Sequence, residues 1–109
     1  MAYVVCATWK AKPGEEAAVT NLLQQVRCAS EREPGCLPFR AHRSVDDPGT
    51  FLLYEQYASE AAFHAHAASD HVRRLVLEDA VQRLDVRRRE IFELVAPDDI
   101  PPQPMVSHA

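Results

Sequence analysis

At 109 residues the chain holds one modest hydrophobic core and is too short for two. Its apolar fraction of 47% and charged fraction of 26% are those of a soluble globular domain. A net charge of −4 lacks the basic footprint that nucleic acid or an anionic membrane would need, so neither partner is expected. The opening Met1–Lys12 has no basic region ahead of an apolar stretch, and no segment approaches membrane-spanning length, which makes the cytoplasm the expected location. Cys6, Cys28 and Cys36 are odd in number and contain no CxxC pair. They read as small buried thiols rather than a disulfide or zinc framework.

In chain order, Ala2 to Lys10 alternates as a strand with apolar residues on both faces. Pro13-Gly14 breaks it, and Glu15-Glu16 open a helix where its dipole favours negative charge. Val19, Leu22, Leu23, Val26 and Ala29 give that helix one apolar stripe, and Pro34-Gly35 ends it. Cys36 to Val45 reads as a second strand, with Leu37, Phe39 and Ala41 on one face and Arg40 and His42 on the other. Asp46-Asp47-Pro48-Gly49 then turns into an antiparallel third strand from Phe51 to Tyr57. Ser59 caps a short helix over Glu60 to Ala67, and Ser69 caps another with Asp70 in its first turn and Val72, Leu75, Val76 and Ala80 as its stripe. A last strand runs from Val86 to Val95.

This order, βαββαβ, is the split βαβ or ferredoxin-like α+β arrangement, an antiparallel sheet with its helices on one face. The domain is expected over 1–96, followed by a Pro-rich tail over 97–109 that is either disordered or an arm across a partner. Leu37, Phe39, Leu52 and Tyr54 form the patch expected on the uncovered face, and a homodimer packing two such sheets together would bury it.

Most of the plausible chemistry lies between Phe51 and Val72. Period-two geometry sets Glu55 among Phe51, Leu53 and Tyr57, while Phe63, His66 and Ala67 share one face of the following helix. Glu55, Tyr57 and His66 can thus line one cavity, with His71 at its rim. A histidine titrates near neutrality and can take a proton from a phenol, and a buried Glu55 can hold the imidazole or act itself. The bland readings are a structural carboxylate for Glu55, a capping-region polar group for His71, a solvated His64, and core roles for Trp9 and Phe63. No metal site is expected, because His64 and His66 diverge on their helix and His71 lies across a break. Three glycines leave no room for a phosphate-cradling loop, so no nucleotide or flavin cofactor is implied.

Phe51 to Tyr57, the segment Ser59-Glu60-Ala61-Ala62-Phe63-His64-Ala65-His66 and Ser69-Asp70-His71-Val72 together resemble the antibiotic biosynthesis monooxygenase domain. The Pro-Gly breaks and Gly35-Cys36-Leu37 fit the same pattern, and the resemblance runs from about Tyr3 to Val95. It implies a dimeric α+β barrel with each site between sheet and helices. The family includes cofactor-free quinone-forming monooxygenases, quinol monooxygenases, an autoinducer-2-processing isomerase and haem-degrading enzymes. Tyr57 falls where polyketide-modifying members often have a tryptophan. His66 stands where haem-degrading members have a tryptophan, Ala7 where they use asparagine, and Val76 where their iron ligand is expected, which disfavours haem. Tyr54-Glu55, Tyr57, His66 and His71 match the quinol monooxygenase and autoinducer-processing branches. The resemblance therefore implies a cofactor-independent oxidation of a small phenolic or quinol-type substrate by O2. His66, His71 and Glu55 would be catalytic, and Tyr57, Leu53, Phe63, Ala7 and Trp9 would line the substrate site. A non-oxidative isomerase, or a small-ligand-binding protein of the same fold, is the alternative.

Overall fold

Strands Tyr3–Ala11 (β1), Cys36–Arg43 (β2), Thr50–Tyr57 (β3) and Leu84–Glu93 (β4) form one sheet in the order β2-β3-β1-β4. Every neighbouring pair is antiparallel. Helices Glu16–Ser30 (α1), Glu60–Ala67 (α2) and the short Asp70–Val72 (α3) cover one face of it. This is the expected ferredoxin-like α+β fold. The computed structural model describes residues 2–95, and the Pro-rich tail expected over 97–109 lies outside them.

The helix α1 packs through Val19, Leu22, Leu23 and Val26, all buried. They meet Ala7, Trp9, Ala11, Phe51 and Leu53 on the inner face of the sheet. Each such side chain contributes about 1.5–3 kcal/mol when fully buried. Ala29 is only half-buried and the stripe ends on Ser30, which is fully buried. From Val5 onward β1 alternates: Val5, Ala7, Trp9 and Ala11 are buried, whereas Cys6, Thr8 and Lys10 on the outer face are half-buried, and Val4 before them is buried on that outer face. The thiols are not the buried set expected either, since Cys28 is exposed and Cys6 and Cys36 are half-buried.

Two further elements depart from their simple periods. In β2 the pairing runs from Cys36 opposite Tyr57 to Phe39 opposite Glu55, so Leu37 and Pro38 together oppose Gln56. This bulge resets the phase of the strand. Phe39 turns inward and is 1% exposed, while Leu37 is 42% exposed. The apolar outer patch expected from Leu37, Phe39, Leu52 and Tyr54 therefore loses Phe39 to the core. After α3 the chain widens into a π-type turn over Arg73–Leu77, where the Glu78 N–H reaches the Arg73 carbonyl at 2.9 Å. A 3-10 turn over Ala80–Arg83 leads into β4. The single last helix read from the sequence is thus three short segments. They still bury Val72, Val76 and Ala80 but leave Leu75 half-buried.

Candidate functional site

A cavity of about 490 Å³ opens between the inner face of the sheet and the helices, with Val5, Ala7, Trp9 and Leu53 on the sheet side. Phe63, His66 and Val72 close it from α2 and α3. Glu55 and His66 are the acid and the imidazole among its lining residues, and both are more than nine-tenths buried. Six of the eight residues singled out from the sequence, Glu55, His66, Leu53, Phe63, Ala7 and Trp9, therefore meet in one space. Tyr57 and His71 stand behind it.

Tyr57 is fully buried and donates its hydroxyl to Glu55 Oε1 at 2.6 Å. The Tyr57 ring stacks 5.1 Å from that of His66. It thus contacts both the carboxyl and the imidazole and is not among the residues that line the cavity. His71 is carried back toward His66 by a tight turn. The Ser69 N–H and hydroxyl both donate to the His66 carbonyl, at 3.0 and 2.6 Å, and the Ser69 hydroxyl also accepts from the Val72 N–H as the cap of α3. The break that separates the two histidines in sequence is thus the device that joins them, with ring centroids 5.9 Å apart.

They join on a residue that the sequence reading did not select. Glu33 Oε1 lies 2.8 Å from His66 Nδ1 and 2.9 Å from His71 Nε2. The turn after α1 places it there, with the Glu33 N–H bonded to the Ser30 carbonyl at 3.0 Å and its own carbonyl accepting from the Cys36 N–H at 3.1 Å. One sequence signal was available: an acid just beyond the carboxyl end of a helix opposes the dipole and calls for another partner. A carboxylate only accepts, so the His66 Nδ1 bonded to it carries the proton, whereas His71 Nε2 also lies 3.4 and 3.3 Å from the Ser30 and Ser69 hydroxyls. His66 then presents an unprotonated Nε2, which lies 3.8 Å from Glu55 Oε1. His64, by contrast, is solvent-facing and meets only Glu60.

Burial dominates the electrostatics. It raises the Glu55 carboxyl to about 7, against the opposing pull of the Tyr57 hydrogen bond and the charges of Arg89 and Arg87. Burial also lowers His66, although the bond to Glu33 works the other way. At neutral pH the site thus holds a neutral imidazole beside a carboxyl poised between its two states. A ligand oxygen can sit within hydrogen-bond reach of both Nε2 and Oε1, because 3.8 Å is less than two such bonds end to end. Glu33, His66 and His71 also bring one ligand atom each within 4.8 Å of one another, a donor set of the type that can hold a divalent metal. The sequence argument against a shared histidine site does not survive the Ser69 turn.

A model of the antibiotic biosynthesis monooxygenase family matches residues 2–76, which include Glu33, Glu55, His66 and His71. The chain belongs to that family. Solved structures agree: a candidate antibiotic biosynthesis monooxygenase from Nitrosomonas europaea is 26% identical with a TM-score of 0.83, covering 88% of this chain and 92% of its own. A further antibiotic biosynthesis monooxygenase is also 26% identical, with a TM-score of 0.78 over 87% of this chain and 99% of its own. Rv0793 from Mycobacterium tuberculosis shares the fold at 22% identity, with a TM-score of 0.81 over 87% of this chain and 95% of its own. No curated protein matches the chain.

Proposed function

We propose that this protein is a small monooxygenase that oxidises a phenolic or quinol-type substrate with O2, using His66 as the base. The observation that carries the reading is the approach of His66 Nε2 to Glu55 Oε1, 3.8 Å apart at the wall of a largely apolar cavity. A substrate hydroxyl seated between them gives its proton to Nε2, and Glu33 stabilises the imidazolium that forms. The phenolate passes one electron to O2, and the resulting radical pair joins at a ring carbon to give a hydroperoxide. Loss of water from that group leaves a carbonyl on the ring, so one oxygen atom enters the product and the other departs as water. Glu55 near its midpoint can supply the proton that leaves with the water. General acid and base assistance of this kind is worth roughly 10²–10⁴-fold.

The family name and the two monooxygenase structures support the reaction class. The resemblance of Glu55, Tyr57, His66 and His71 to the quinol monooxygenase and autoinducer-processing branches is in keeping with a small hydroxylated substrate and does not separate the two. An isomerase would use the same base without oxygen, so oxygen uptake with a substituted hydroquinone decides between them. The expected result is uptake that falls at least ~100-fold in His66→Ala, with the metal-chelated protein assayed in parallel because of the Glu33, His66 and His71 donor set. Turnover of the quinol without oxygen consumption, or full activity in both His66→Ala and Glu55→Gln, would refute it.

A further inference from the structure

Three arginines of β4, Arg87, Arg88 and Arg89, line the cavity, and none of them carries the proton in the acid-base chemistry. Arg87 pairs across the sheet with Trp9 and Arg89 with Ala7. Directly paired residues share a face, so both arginines stand on the cavity side of β4, and both line the cavity. Arg27, Arg40, Arg73, Arg74 and Arg83 each form an ion pair. Among the described residues Arg87 and Arg89, like Arg32, Arg43 and Arg88, form none, in a chain whose acids outnumber its lysines and arginines 16 to 12. The Arg89 guanidinium lies over the Phe63 ring, 5.3 Å from its centroid. That contact uses the flat face of the group and leaves its in-plane N–H donors for another acceptor. Two cations thus share the sheet side of an apolar cavity with Glu55, and His66 faces them from α2.

We propose that Arg87 and Arg89 form an anion subsite in this cavity, and that the ligand is a hydroxylated aromatic acid. Its hydroxyl meets His66 and Glu55, and its carboxylate meets the two guanidiniums. The assignment rests on the reading that this cavity takes an aromatic hydroxyl, and it adds the charge that selects among such molecules. It also assigns a role to β4, which lies beyond the segment that the family model matches.

The test is calorimetric titration of the full chain with 2,5-dihydroxybenzoate and, separately, with hydroquinone, its uncharged counterpart. Charge-assisted hydrogen bonds to a carboxylate should make the acid bind roughly 10-fold to 100-fold more tightly, with the advantage shrinking as salt is added. Arg87→Gln and Arg89→Gln should each reduce that advantage and together abolish it, with a far smaller loss for hydroquinone, which offers them no carboxylate, and the chain should still fold, since both side chains are exposed. Arg32→Gln, an exposed arginine away from the cavity, should leave the advantage intact. Equal affinities, an advantage that survives the double substitution, one that Arg32→Gln removes as well, or no binding of the acid at millimolar concentration would each overturn the subsite. Oxygen uptake separates this from the proposed reaction. Selective binding of the acid without oxygen consumption sinks the oxygenase and keeps the subsite, and oxygen uptake without selectivity does the reverse.

Discussion

Glu55 shows how one buried group couples the site to stability. Its folded pKa of about 7 lies above the ordinary glutamate value of 4.5, so between these limits the folded protein holds more of the proton than the unfolded chain does. Stability should therefore fall as pH rises through that window, by on the order of 3 kcal/mol, and level off above it. His66 has the opposite sign. Its pKa is lowered by burial, so its contribution is present above the ordinary histidine range and is lost as pH falls toward the lowered value. Urea unfolding from about pH 5 to about pH 8 should show Glu55→Gln gaining on the parent protein as pH rises, because an amide still accepts the Tyr57 hydroxyl without the charge. Parallel curves for the two proteins would mean that Glu55 ionises freely. Both residues were legible in the sequence because strand and helix periods place them by local rules. Glu33 was not, because its position depends on a turn whose value shows only once α2 is docked above it.

At the level of elements, the position of His66 rests on how closely α2 approaches the turn before β2. A Cβ at Gly35 would come within 2.4 Å of the Ala62 Cβ, far inside van der Waals contact. Glycine is required there for space. Gly35→Ala should cost about 1–3 kcal/mol by overpacking and should lift α2, and with it His66, away from Glu33 and Glu55. The expected signature is a lowered melting temperature together with a loss of turnover, both recovered in the Gly35→Ala, Ala62→Gly double variant, since the clash needs both methyl groups. Leu22→Ala, by contrast, removes core packing far from the chemistry and should cost about 2–5 kcal/mol without altering the His66 geometry. The Pro-Gly of this turn was readable as a helix stop, and Ser59 and Ser69 were readable as caps. The β2 bulge and the π-type turn were not, since each keeps Phe39 or Val76 in the core at the expense of local regularity, and that gain is tertiary.

For the whole molecule, the order of elements carried the fold, because a βαββαβ chain with short connections has few ways to close an antiparallel sheet. The uncovered face was harder to read, since it depends on strand phase, and the bulge moved Phe39 out of it. What remains there is Leu37, 42% exposed, Leu52, 47% exposed, the half-buried Tyr54, and Phe92 on β4, also 47% exposed and paired with Val4. The helices lie on the other face, so in a lone chain these side chains meet water. We propose that a second copy covers them, forming the dimeric barrel that the family resemblance implies. Light scattering at micromolar concentration should then give twice the chain mass of 12.2 kDa. Leu52→Lys should shift the protein toward the monomer, because a charge buried against the partner sheet without an opposite charge is costly. It should leave the core intact, since the Leu52 side chain faces away from the cavity. A parent protein that runs as a monomer at these concentrations, or a Leu52→Lys variant that dimerises as tightly as the parent, would remove this face from the interface.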